Sequence, residues 1–351
     1  MNCEIPEHVQ ALIEKDVLSV EVSTRCNSSC NHCFARAGRD SLKEMNPETA
    51  QAIAAEGRAL GYRNFHITGG EPLMWDPLFD LIEHAIGLGY ESVFINTNGT
   101  LLTADVARRL AGYGGNVTLS ISVQGPEELH DRVRGKSFSA AISGLEQALA
   151  AGIGVCVFTS VGQSLVPRLP RFAEFLFTDY PGIKELTLIQ LIRVHGDALD
   201  LSDELLSPGD FISMVRMAAL LNLWGYRITI LQNPLAFAAS RAMGMPWIAP
   251  ALPLHRSGGI IVMADGDITL AHSTRDSFGT YGQGTLGRVL MSEKYQAAVG
   301  PDDAGCGSCR FMAHCREHGM MRPSEWFRSM DTPGSFCREV MSLALPDTEE
   351  R

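Results

Sequence analysis

Between residues 18 and 192, six short apolar runs alternate with segments of helical length and period. The runs lie at 18–23, 64–68, 92–96, 117–123, 154–159 and 185–192. Helical patterns occupy 47–60, 77–88, 103–112, 138–150 and 167–178. Some starts are marked by caps, as where Asn46 precedes Pro47 with Glu48 in the first turn. Strands that alternate with helices of ten to fifteen residues specify βαβ units and a parallel sheet. Six units are too few for a closed eight-stranded barrel, so the pattern predicts an α/β fold built on a partial (β/α)6 barrel or a doubly wound sheet.

A chain of 351 residues with 45% hydrophobic and 20% charged residues has material for a large core and is not of disordered type. No apolar run reaches the length of a membrane span. The first twenty residues contain acids and lack the basic-then-apolar plan of a signal peptide. These features place the chain in the cytoplasm with no membrane partner. A formal charge of −11, with no run of Lys and Arg, argues against nucleic acid as a partner.

Beyond the alternating region come a helix at 208–223 and a strand near 226–231. Residues 233–258, rich in Pro, Met and Ala, read as a linker or irregular connection. Two short β runs, 259–264 and 267–271, are joined through Asp265 and Gly266, a hairpin signal. The stretch from 300 to 340 has four cysteines and little apolar periodicity, and so calls for a metal to hold it. The expected organisation is an extension at 1–17, a barrel at 18–232, a linker at 233–258 and a small domain at 259–345.

Nine cysteines in a cytoplasmic chain need a use other than disulfides. Cys26, Cys30 and Cys33 form a CxxxCxxC at the end of the first strand, and Cys306, Cys309, Cys315 and Cys337 cluster near the other end. A structural zinc site wants four protein ligands. Three thiolates hold a four-iron cluster and leave one iron open. Zinc completed by His32 or a distant residue is the competing reading of the triplet. The second set is complete with four thiolates, which suits zinc or an iron–sulfur cluster equally.

CxxxCxxC followed by Phe34, at the end of strand one of a six-unit β/α chain, resembles the radical S-adenosylmethionine (SAM) superfamily. Gly69-Gly70-Glu71-Pro72 after the second strand is similar to its GGEP motif, and Thr97-Asn98-Gly99 after the third to its TNG turn. Ser122, Gln124, Gly125, His130, Asp131, Arg134 and Gly135 follow its "SxDG…HD…RG" segment, with Gln124 where most members have Asp. Arg193, before His195, Gly196 and Ala198, resembles the segment after strand six. The resemblance implies that Cys26, Cys30 and Cys33 carry a [4Fe–4S] cluster. It also implies that Gly69, Gly70, Glu71, Asn98, Ser122, Arg134 and Arg193 surround SAM. These motifs fall at C-terminal strand ends, where β/α folds gather their sites.

Behind such a core, Cys306, Cys309, Cys315 and Cys337 resemble the SPASM/twitch type of extension, which carries auxiliary clusters. The hairpin frame is kept, but Ser257, Ala271, His272 and Gly319 stand where relatives place further thiolates. One auxiliary [4Fe–4S] cluster is therefore expected, two clusters in all, with His272 or His314 as alternative ligands. The implied activity is reductive cleavage of SAM to a 5′-deoxyadenosyl radical, which removes a hydrogen atom from substrate, with the auxiliary cluster transferring an electron. The electron donor would be a flavodoxin or ferredoxin under anaerobic conditions.

The implied oxidoreductase chemistry fits peptide or natural-product modification. The alternatives are modification of a tetrapyrrole side chain and sugar dehydrogenation, a small-molecule substrate in either case. A different class, a non-catalytic cluster- or zinc-binding protein, is disfavoured by the intact triplet beside GGEP and Ser122. Cys156 stands alone in mid-strand; it is a candidate hydrogen donor to a substrate radical, although buried cysteines are usually inert packing.

Overall fold

The computed structural model describes residues 16–33, 35, 37–38, 42–192, 201–231, 233–250, 258–271, 276–300, 306–318 and 333–345. Cys3, Arg193, His195, Ser257, His272 and Gly319 lie outside the described residues. In chain order the first elements are β1 (Val17–Glu21), α1 (Pro47–Ala59), β2 (Asn64–Thr68), α2 (Leu78–Gly87), β3 (Ser92–Thr97), α3 (Ala104–Ala111), β4 (Val117–Ser122), α4 (Glu127–Arg134) and α5 (Phe138–Ala150). Then follow β5 (Gly154–Val161), α6 (Leu169–Asp179), β6 (Ile183–Gln190), α7 (Pro208–Leu223), β7 (Ile228–Ile230) and α8 (Pro234–Ala242). The chain ends with β8 (Ile260–Val262), β9 (Ile268–Thr269), α9 (Thr285–Met291), α10 (Glu293–Val299), α11 (Met312–Glu317) and α12 (Pro333–Ala344).

The strand–helix alternation is that of a parallel α/β fold of the partial-barrel kind, as the sequence leads one to expect. Asn46 caps α1, its side chain accepting a hydrogen bond from Thr49 N at 3.1 Å. The chain divides into two compact units. The first comprises the residues up to 123, 130–156 and 254–299, and the second comprises 124–129, 157–253 and those from 300 onward.

In the first unit the strands are ordered β4-β3-β2-β1-β8-β9. β1 lies parallel to both β2 and β8, and β9 returns antiparallel to β8. One face of this sheet is apolar: Leu18, Val20, Phe65, Ile67, Val93, Ile95, Leu119 and Ile121 are all fully buried. Helix α2 buries Leu78, Leu81, Ile82 and Ala85, the i, i+3, i+4, i+7 stripe that makes an amphipathic helix pack on one side. Each such leucine or isoleucine stabilises the fold by about 1.5–3 kcal/mol.

The opposite face is polar. The register sets Ser19 beside His66, His66 beside Phe94 and Phe94 beside Thr118. One step further along, Glu21 pairs with Thr68, and Asn96 pairs with Ser120. Parallel strands covered on both sides normally read as continuous apolar runs. A row of hydroxyls, an amide and a carboxylate on one face departs from that pattern, and part of it is bonded within the protein, as where Ser19 Oγ lies 3.0 Å from His66 Nδ1.

In the second unit β7 lies parallel to β6, and β6 follows β5 in the sheet. Ser207 and Asp210 form a reciprocal capping box at the start of α7. Three segments differ from the sequence reading. Residues 234–242, expected to be irregular, form α8, opened by Asn233, which accepts from Ala236 N at 3.1 Å. The segment holding Cys337, expected to lack a core, forms α12, which buries Phe336, Val340, Met341 and Ala344 and packs on α7 and α8. Phe336 meets Phe211 edge-on at 5.7 Å. The hairpin at 260–269, which the sequence assigns to the C-terminal domain, instead extends the first unit's sheet next to β1. No helix among the described residues is long and apolar enough to cross a membrane.

Candidate active site

Within the first unit, the loop after β1 carries the cysteine triplet and is fastened from three sides. Gly70 N donates to Ser23 O at 2.6 Å and Glu71 N donates to Arg25 O at 2.8 Å, so the Gly69-Gly70-Glu71 turn runs directly along the backbone leading to Cys26. Asn98 donates to Asn27 Oδ1 at 2.8 Å and to Ser28 Oγ at 3.3 Å. Asn31 N donates to Val133 O at 2.9 Å. The turns after β2 and β3 and the end of α4 thus converge on one loop.

The glycines in the turn after β2 serve this packing. A Cβ on Gly69 would lie 2.6 Å from Ser23 O, and one on Gly70 would lie 2.6 Å from the carbonyl carbon of Arg25. The missing side chains admit the close approach of two backbone segments.

Glu71 is fully buried. Its Oε1 accepts from Leu73 N at 3.1 Å and from Thr97 Oγ1 at 2.8 Å, and its Oε2 accepts from Asn98 N at 2.8 Å. Burial raises the Glu71 pKa, while these hydrogen bonds and Arg134 oppose the rise. The carboxylate therefore clamps the turn after β3 against the turn after β2.

The three thiols lie close enough to act on one another electrostatically. Burial, with smaller contributions from Glu71, Cys30 and Cys33, pushes the Cys26 thiol up to about 11, and burial likewise raises Cys33. Arg134 places Nη1 at 3.7 Å from Cys30 Sγ. A cluster of three soft thiol donors beside a fixed cation fits an anionic iron–sulfur group. Ser122 ends β4, half-buried.

His130 and Asp131 organise the chain around α5. Asp131 Oδ1 accepts from Ser137 N at 3.0 Å and Phe138 N at 2.9 Å, capping α5 from a distance. His130 lies 3.0 Å from Ser137 Oγ and edge-on to Phe138. Burial first, then Arg134, lowers the His130 pKa to about 4. The unfolded chain then binds a proton near pH 6.5 that the folded chain refuses until about pH 4. Stability is complete above that window and falls by up to about 3 kcal/mol as pH drops through it. Urea titrations between pH 7 and 4.5 should show this acid limb in the wild type and a flatter one in His130→Gln; parallel limbs would reject the assignment.

Gln124, in the second unit, is buried and donates Nε2 to Ser160 O at 2.6 Å. A carboxylate cannot donate, so the amide in place of the usual Asp serves a bond that Asp could not make. Cys156 is half-buried in mid-β5.

The other four cysteines all belong to the second unit. Cys309 N donates to Cys306 O at 2.8 Å, a tight turn leading into α11. Burial, then Cys309 and Cys306, pushes Cys315 up to about 11, so these three thiols also share one neighbourhood. Cys315 on α11 and Cys337 on α12 are carried by two helices that both pack on α8. Arg310 reaches Ser342 of α12 at 3.4 Å. Sequence reading recognises the thiols but not α8, the element that brings their helices together.

In the first unit a parallel α/β sheet thus bears a cysteine triplet braced by the turns after β2 and β3 and by the end of α4. Residues 20–165 match the model of the radical SAM superfamily, and this stretch is a radical SAM domain. Over nearly its whole length the chain is similar to mycofactocin maturase MftC of Mycolicibacterium smegmatis, with 27% identity across 335 residues, 92% of this chain and 82% of that protein. It shares 34% identity over 155 residues with AdoMet-dependent heme synthase of Oleidesulfovibrio alaskensis, which is 43% of this chain and 39% of that relative. The chain thus spans about two fifths of that relative's length. Among solved structures, anSMEcpe with bound AdoMet and Cp18Cys peptide matches with a TM-score of 0.67 at 17% identity, covering 94% of this chain and 98% of that one.

Proposed function

We propose that the protein is a radical SAM maturase that modifies a peptide and uses one auxiliary [4Fe–4S] cluster. The observation that carries this reading is the crowding of Cys26, Cys30 and Cys33 in one braced loop, three thiols without a fourth in their sequence cluster. Cys26, Cys30 and Cys33 would hold the [4Fe–4S] cluster, and that group would supply the electron for reductive cleavage of SAM and so for removal of a hydrogen atom from the substrate. Gly69, Gly70, Glu71, Asn98, Ser122, Arg134 and Arg193 are the SAM-side residues. Of these, Glu71 and Asn98 act by fixing the loop, and Arg134 offsets the negative charge of the thiolates. Cys306, Cys309, Cys315 and Cys337 hold the auxiliary cluster.

The polar sheet face supports a substrate rich in hydrogen-bonding groups: among the described residues Asn96 Oδ1 is buried without a partner. Similarity to mycofactocin maturase MftC over 92% of the chain, with a likeness of fold to anSMEcpe solved with bound Cp18Cys peptide, favours a peptide. The heme-synthase match supports the second reading, a tetrapyrrole carboxylate, but it is confined to 43% of the chain. The reading also includes a flavodoxin or ferredoxin as electron donor and a cytoplasmic location. The test is anaerobic reconstitution, reduction and addition of SAM, with 5′-deoxyadenosine measured by mass spectrometry. Wild type should form it and Cys30→Ala should not. Equal yields from both, with iron loading verified, would overturn the reading.

A further inference from the structure

The end of α11 and its C-cap residue read His314-Cys315-Arg316-Glu317-His318, and the thiolate set takes only Cys315 from them. One ring nitrogen of each histidine and one Glu317 oxygen lie within 4.8 Å of one another. Positions i, i+3 and i+4 share a face of one helical turn. Two histidines four apart are a spacing that chelates a single ion.

The surroundings hold the histidines in place. His314 Nε2 lies 3.1 Å from Ala238 O in α8 and donates to it. That bond leaves the lone pair on Nδ1, and it is the outer contact a metal-bound imidazole typically makes. His318 stands edge-on to His314, with centroids 4.4 Å apart, and edge-on to Phe237 at 5.7 Å. Arg241 lies over the Phe237 ring, 5.0 Å from its centre, and its charge still acts on His318. Glu317 is exposed and supplies the one negative donor.

Two imidazoles and a carboxylate select a borderline divalent ion such as zinc or cobalt. Magnesium and calcium prefer all-oxygen sets, and iron–sulfur clusters require thiolates. We propose that His314, Glu317 and His318 form a mononuclear site for a zinc-class divalent ion, distinct from the thiolate set of Cys306, Cys309, Cys315 and Cys337. Three protein donors leave a fourth position for water. Because His314 is bonded to α8 and Cys315 follows it directly, the ion fixes the helix carrying Cys315 against α8.

The test uses the full chain with both cysteine sets reconstituted with iron, dialysed against zinc under anaerobic conditions. Metal analysis should find one zinc per chain without loss of iron. Zinc-edge X-ray absorption should show nitrogen and oxygen donors at about 2.0–2.2 Å and no sulfur shell at about 2.3 Å. His318→Ala should abolish stoichiometric zinc, and the exposed Glu317→Gln should weaken it at least tenfold, both with iron unchanged. No zinc in the wild type, a sulfur shell, or undiminished zinc in His318→Ala would overturn the site. Should His318→Ala lose iron as well, Glu317→Gln decides: unchanged zinc affinity there overturns the site too.

Discussion

Gly70→Ala should lower the unfolding free energy by roughly 3–5 kcal/mol and strip the cluster loop of its iron. The added methyl would overlap the Arg25 carbonyl, which is backbone and cannot swing aside as a side chain can. Relief requires separating the two segments, which lengthens Gly70 N to Ser23 O and Glu71 N to Arg25 O. Overpacking of this kind costs about 1–3 kcal/mol and each lost hydrogen bond about 1 kcal/mol. The loop that moves leads directly into Cys26, so stability and iron retention fall together. Gly87→Ala is the matched control, because a Cβ there meets nothing within 4 Å. Thermal unfolding and iron analysis of both variants check the expectation. A Gly70→Ala protein with wild-type iron and a melting temperature within a degree or two of wild type would refute it.

Glu71→Ala should be the second severe lesion, costing roughly 3–6 kcal/mol. It removes the acceptor for Leu73 N, Thr97 Oγ1 and Asn98 N in a site closed to water. A buried donor left unsatisfied costs about 1–3 kcal/mol. Glu71→Gln separates the hydrogen bonds from simple space filling. With its amide oxygen in the Oε1 position it still serves Leu73 and Thr97, but its NH2 then confronts Asn98 N–H. The order of stability should therefore be wild type, Gln, Ala. Affinity for SAM, measured by equilibrium dialysis, should fall in the same order as the turn after β3 loosens from the cysteine loop. Equal stability of Gln and Ala would show that the clamp is not a hydrogen-bonding device.

Much of this site is legible in the sequence because its elements are local. The triplet, the Gly69-Gly70-Glu71 turn and Asn98 each sit at the end of a strand whose apolar run is easy to read. Parallel connectivity alone then brings those ends to one edge of the sheet. What each residue touches is less legible. Glu71 reads as a ligand to SAM, yet in the fold its oxygens accept from three groups of the protein itself. Asp131 caps a helix that begins seven residues later.

The C-terminal region was harder for a different reason. Segment 234–242 is rich in alanine but opens with proline, so it looks like a connection until Asn233 is seen capping it. In α12 a cysteine occupies one of the core-facing positions, and counting it as a ligand hides the helical stripe of Phe336, Val340 and Met341. The pairing of β8 with β1 has no local sequence signal at all, since the two strands are some 240 residues apart.

That pairing has a consequence for biosynthesis. Leu18 meets Ile260 across the edge of β1, so the strand feeding the cysteine loop leaves the ribosome long before its neighbour exists. At usual elongation rates the interval is roughly 10–50 s. Throughout it one side of β1 presents unpaired N–H and C=O groups, the kind of edge that recruits other chains. Release of the hairpin from the ribosome is the event that closes it.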